Sequence, residues 1–162
     1  MNMVLLCLNL LIAILWLGLS SHPDPMVFII GFIIGAILIE LFHPIFSTHH
    51  TRYTKRLAAF LWFHIIFIKE LLISNIEIAR CVLFGRIDAM EPGILEYDIA
   101  DLNNFEILLL SHAITLTPGT TSIGLSDDKE TLYIHAFDAR DPNAVRDGIT
   151  SGLRAPIMRF TR

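Results

Sequence analysis

Glu40 and His43 stand three residues apart, with His49 and His50 just beyond. On a helix that spacing puts the first two side chains on one face, as in carboxylate-rich di-metal bundles. Such a centre needs four helices and two such motifs. This sequence supplies one, too few donors to hold a transition metal. An acid and an imidazole near a helix end, with polar tips reaching water, is the simpler reading. Glu40 alone could carry protons or cations if it lay inside a membrane span, although water reaches an acid so close to the span's end. Ser111, His112, Asp127, Asp128, His135 and Asp138 are residue types from which hydrolase triads are built. No G-x-S-x-G elbow accompanies them, no nucleophile–base–orienter set can be named, and His135 falls in a strand pattern. Neither a P-loop nor G-x-G-x-x-G occurs. The expectation is a protein that is not an enzyme and has no cofactor and no resident metal.

Two unlike halves must position these residues. Residues 4–19 and 26–42 are apolar apart from Asn9 and Glu40, and the turn Ser20-Ser21-His22-Pro23-Asp24-Pro25 joins them. At 1.5 Å per residue they reach about 24–26 Å, against a hydrocarbon core of ~30 Å. Their uncharged flanks, residues 1–21 and 26–46 without Glu40, bring each near the ~20 residues of a span. Lipid obliges such segments to satisfy their own backbone, so residues 1–46 are expected to form an α-helical transmembrane hairpin. A cleaved signal peptide would need a basic start and a small-residue cleavage site. The first Lys or Arg is Arg52 and a second apolar segment follows at once, so a retained span is expected.

The chain is 54% hydrophobic and 17% charged, with a mean hydropathy of +0.60. A soluble domain is nearer ~45–50% and ~25%. Its net charge of −4 divides unevenly: residues 1–84 hold five basic and four acidic side chains, residues 85–162 seven and twelve. So acidic a second half argues against nucleic acid. Cys7 and Cys81 form no C-x-x-C, and free thiols are expected. The turn at 20–25 has no Lys or Arg, whereas residues 43–56 hold Arg52, Lys55 and Arg56. Positive charge favours the cytoplasmic side, which places the N-terminus there too.

Residues 47–85 comprise this basic connector and, from residue 56, one long helix without proline. The apolar run 57–68 is 12 residues, below spanning length. Lys69, Glu70, Glu77 and Arg80 fall within an arc of about 100°, which suits an amphipathic helix at the membrane face. A third span would bury charges at about 2.5–3.5 kcal/mol each and carry the acidic half outside.

Residues 86–162 read as a small α+β cytoplasmic domain in the order strand–helix–strand–strand–helix. Leu95, Tyr97 and Ile99 alternate with Glu96 and Asp98, a half-buried strand. Asp101, Asn103 and Asn104 offer caps to a helix beginning near Phe105. Its run 107–116 is too short to span and is expected in a core. Thr117-Pro118-Gly119-Thr120 is a tight turn, Pro presetting φ and Gly tolerating positive φ. Residues 121–125 and 131–137 flank Ser126-Asp127-Asp128-Lys129-Glu130 as a hairpin. Asp141-Pro142 caps and starts a last helix, expected to end near Gly152.

The words Ser111-His112-Ala113-Ile114-Thr115-Leu116-Thr117-Pro118-Gly119-Thr120 and Leu132-Tyr133-Ile134-His135-Ala136-Phe137-Asp138 resemble the E subunit of the Mrp/Mnh/Pha-type multisubunit monovalent cation/proton antiporters. The resemblance extends over essentially the whole chain; His112 departs from it, standing where a small polar residue or Asn is expected. It implies a place in a hetero-oligomeric complex of the bacterial cytoplasmic membrane that exchanges Na⁺ or K⁺ for H⁺, with other subunits and the bilayer as partners. It also implies an accessory part, ion translocation belonging to the large subunits. On that basis Thr117, Pro118, Gly119 and Thr120 are expected to shape the domain and Glu40 is the one membrane-edge acid to watch. Two other readings stay open: a membrane-anchored module whose acidic domain recruits a soluble partner, and a homo-oligomer that moves ions itself through Glu40.

Overall fold

The computed structural model describes residues 3–46, 53–84 and 90–162. Residues up to Phe60 together with Phe160–Arg162 form one compact unit, and Leu61–Arg159 a second.

The first unit is built on α1 (Met3–Leu19) and α2 (Pro25–Phe46). Asp24 caps α2, its carboxylate accepting from the Met26 N–H at 2.8 Å, with Pro25 as the first helical residue. The helices approach closely because two glycines lie four residues apart on α2. A Cβ on Gly31 would stand 2.8 Å from Trp16 Cβ, and one on Gly35 would collide with Asn9 Oδ1. Small-x-x-x-small spacing is a common way for membrane helices to pack. Leu11, Leu15, Ile33 and Ile37 remain exposed, an apolar surface too large for water. At 22 residues α2 spans about 33 Å, and α1, with 17, sits at the short end of the spanning range.

The third helix, α3 (Tyr53–Leu83), has 31 residues, about 46 Å. It begins three residues before the expected start and embeds the 12-residue apolar run in a helix long and apolar enough to cross a membrane by length and composition. Tyr53 and Leu57 pack with Ala36 and Ile39 of α2. At the other end of the chain Phe160 meets Phe60 edge-on at 5.3 Å. Within the second unit Gly152 lies 3.5 Å from the Glu70 side chain, and Gly119 lies near Ile78.

The domain's sheet runs β1 (Gly93–Asp98), β3 (Thr131–Ala136), β2 (Thr120–Leu125), with both outer strands antiparallel to the central one. β1 and β2 are therefore parallel, joined through α4 (Asn104–Leu116) as a split β-α-β unit. Leu95 and Tyr97 of β1 and Leu132, Ile134 and Ala136 of β3 are buried, with Ile107, Leu110 and Ile114 of α4. A bulge at Ile123 shifts the β2 register.

The last helix does not stop at Gly152. α5 (Pro142–Ile149) passes through a π-helical turn, Thr150–Arg154, into α6 (Ala155–Thr161). Ile149, Leu153, Ile157 and Phe160 are all buried, a continuous apolar face that outweighs one glycine. Pro156 cannot donate to the carbonyl four residues back, and the wider π turn lies where that bond would be missing.

Candidate functional site

Glu40 faces the first turn of α3. One carboxylate oxygen, Oε2, accepts from the Thr54 N–H and from Thr54 Oγ1, both at 3.1 Å. The neighbouring residue is bound as well: Asn9 Nδ2 donates to the Tyr53 hydroxyl at 3.0 Å. Asn9 is fully buried and Tyr53 nearly so. The side chain of His43, and all of His49, His50 and Arg52, lie outside the described residues, as does most of the basic connector. Among the described residues no three His, Cys, Asp or Glu side chains gather as metal ligands would.

The Thr117–Thr120 turn ends α4, whose start is fixed by a reciprocal cap. Asn103 Oδ1 accepts from the Phe105 and Glu106 N–H groups, and the fully buried Glu106 carboxylate accepts from the Asn103 N–H, all at 3.0 Å. At the far end the buried Thr117 hydroxyl lies 3.1 and 2.9 Å from the Ala113 and Ile114 carbonyls, to which it donates. Thr120 Oγ1 also donates to the Ile114 carbonyl, at 3.0 Å. These hydroxyls satisfy carbonyls that a helix end leaves open. Gly119 takes φ 99°, and its carbonyl accepts from the Phe137 N–H at 2.8 Å, tying the turn to the end of β3. Pro118, Gly119 and Thr120 border a cleft of about 840 Å³, shared with Ser74, Glu77 and Cys81 of α3 and with Asp138 and Arg140. Arg140 Nε donates to Asp138 Oδ1 at 2.8 Å. That guanidinium holds the Asp138 carboxyl below the usual carboxylate range, and the carboxylate raises Arg140 in turn.

The remaining hydrolase-type residues are not assembled. Ser111 Oγ donates to the Ile107 carbonyl, and His112 Nδ1 lies 2.7 Å from the Leu108 carbonyl, each on its own helix. Asp128 pairs with Ser126, which lowers its carboxyl. His135 is exposed on β3, between Ile94 and Thr121 on the neighbouring strands. Asn9, Tyr53 and the Gly31/Gly35 pair were not singled out by sequence. Two signals were present: a lone amide inside an apolar segment, and the four-residue glycine spacing.

A close-packed apolar hairpin and a long helix with an exposed apolar face, followed by a small split β-α-β domain, define a membrane protein that works beside other chains. Residues 9–160 match the family described as "Na+/H+ ion antiporter subunit" (MNHE). The chain belongs to that family, and it is a component of a membrane transporter. The E subunit of the Na(+)/H(+) antiporter of Bacillus subtilis (strain 168) is 34% identical over 155 residues, 96% of each chain. The E1 subunit of the Na(+)/H(+) antiporter of Staphylococcus aureus (strain JH9) is 36% identical over 135 residues, 83% of each. A chain of the membrane-bound sulfane sulfur reductase, an archaeal respiratory membrane complex, is similar with a TM-score of 0.58 at 27% identity, covering 94% of this chain and 96% of that one.

Proposed function

We propose that the chain is an accessory subunit of a multisubunit Na⁺(K⁺)/H⁺ antiporter that holds neighbouring membrane subunits in register. The hairpin crosses the cytoplasmic membrane with both ends inside, α3 runs along the inner face, and the domain lies in the cytoplasm. The observation that carries this is the exposed apolar stripe on α3: Leu61, Ile65, Ile68, Leu72 and Ile76 recur at helical spacing. Across the helix, Glu70 and Ile78 lie against glycines of the domain. A domain with open sheet edges cannot sit in hydrocarbon. With residues 70–84 beside it, only residues 53–69 remain for lipid, about 26 Å and short of a ~30 Å core. An amphipathic helix bound to the membrane face satisfies both sides. The Thr117–Thr120 turn shapes the domain and binds no ion.

The test is a tagged purification from native membranes in mild detergent, with every co-purifying chain identified by mass spectrometry. A stoichiometric set of hydrophobic subunits, two of them large, is expected, and Ile65→Glu or Leu72→Glu should abolish their recovery. Recovery of this chain alone, or with one soluble partner, would overturn the reading in favour of a membrane-anchored recruiting module.

A further inference from the structure

Asn9 on α1 and Glu40 on α2, the polar side chains of the apolar segments 4–19 and 26–42, bond to consecutive residues of α3, Tyr53 and Thr54. We propose that Glu40 is a positioning residue: its carboxylate caps the first turn of α3 and tethers it to α2, a role that needs an acceptor oxygen and not a titrating proton. Thr54 lies in the first turn, where backbone N–H groups have no partner within the helix and the helix dipole is positive. An acceptor supplied from another helix satisfies such a donor and joins the two elements in one bond. Thr54 adds its hydroxyl to the same Oε2, so two donors of one residue converge on one oxygen.

The neighbouring contacts complete the clamp. Tyr53 is held to α1 through Asn9, and Leu57, one turn along, packs on Ala36 and Ile39 just before Glu40. Bonds from adjacent residues to two different helices fix both the position of the α3 start and its rotation. Holding the start of α3 in place serves the assembly role proposed above, so the inference rests on the proposed function for its consequence but not for its geometry.

Glutamine keeps an acceptor oxygen and cannot titrate; alanine has neither property. Glu40→Gln, Glu40→Ala and Thr54→Val are made in the full chain within its native membranes. Each is read by tryptic cleavage after Lys55 and Arg56 in mild detergent and by the pH profile of Na⁺/H⁺ exchange in vesicles. Glu40→Gln should match the parent chain in both, with an unshifted pH profile. Glu40→Ala should be cleaved about tenfold faster, as expected for a lost cap, and Thr54→Val should fall between. Should Glu40→Ala fail to accumulate, Glu40→Gln and Thr54→Val decide. Loss of exchange or a shifted profile in Glu40→Gln with parent-like cleavage would overturn the proposal in favour of proton handling. Parent-like cleavage in Thr54→Val and Glu40→Ala would overturn the tether. The cleavage result stands even where the parent membranes show no exchange, which separates failure of this inference from failure of the antiporter reading.

Discussion

Gly35→Ala tests the hairpin at its tightest point. The added methyl would collide with Asn9 Oδ1 and stand 3.2 Å from Ile12 Cγ2. Asn9 is fully buried, so its amide cannot retreat to solvent and must turn away from Tyr53. Forcing a methyl into a packed interior costs about 1–3 kcal/mol. The hydrogen bond given up is worth about 0.6 kcal/mol between membrane helices, rarely above about 1.7. Alanine returns at most about 1 kcal/mol of helix propensity. The net expectation is a loss of about 1–3 kcal/mol. In an Asn9→Ala background the obstructing oxygen is gone and only the 3.2 Å approach to Ile12 Cγ2 remains, so the same substitution should cost markedly less. A double-mutant cycle should therefore show a coupling of about 2 kcal/mol, well outside the additivity of about 0.3–0.5 kcal/mol seen for independent sites. The assay is reversible unfolding in mixed micelles titrated with SDS, followed by Trp16 fluorescence in a Trp62→Phe chain, because Trp16 rests on Gly31. Gly18→Ala is the control, since nothing lies within 4 Å of its Cβ position. Additive losses in the cycle would refute the close approach of Asn9 and Gly35.

Thr117→Val removes a buried hydroxyl bonded to two α4 carbonyls that each keep another donor and should cost about 0.5–1.5 kcal/mol in thermal unfolding of the chain in detergent. Gly119→Ala, forced to keep φ 99°, should cost about 1–2 kcal/mol, whereas Gly124→Ala, with open space around it, should stay within about 0.5 kcal/mol. Asp138 is held below the ordinary carboxylate range by Arg140, so the unfolded chain binds its proton more tightly than the folded one. Its contribution is then present above about pH 4 and fades as pH falls through the depressed value. Asp138→Asn should lower the unfolding temperature at pH 7 and lower it less as the pH falls below the ordinary carboxylate range, and a decrease that does not shrink with falling pH would refute the pairing.

What the sequence made legible was local. The alternation from Leu95 to Ile99 matches the buried and exposed sides of β1. Asn103 is one of three candidate caps and the one that folding uses, and Pro118-Gly119 marks a turn whose glycine does take positive φ. The departures come from competition between signals or from distance along the chain. Gly152 is a stop signal that loses to an apolar face running from Ile149 to Phe160. α3 starts earlier than its local pattern suggests because its capping acid is 14 residues away, beyond any local pattern. The Glu40–His43 pairing can be read but not followed, since the His43 side chain and the residues after it lie outside the described ones.

Hydropathy locates membrane segments but says little about how they fit, and the physical reason is general. Lipid is as apolar as leucine, so burying one leucine against another gives no net drive for association. Specific fit must come from residues that depart from the apolar average: small ones that let backbones close, and polar ones that must find partners. In this hairpin those departures are few, and apart from Gly18, whose surroundings are open, the glycines and the two polar side chains Asn9 and Glu40 mark contacts. Gly31 receives Trp16, Gly35 receives Asn9 and Ile12, Asn9 holds Tyr53, and Glu40 holds Thr54. Glu40 invites a transport role when viewed as a lone charge near a membrane. Placed among these contacts it takes a part in the packing as well: Glu40 holds Thr54 as Asn9 holds the neighbouring Tyr53.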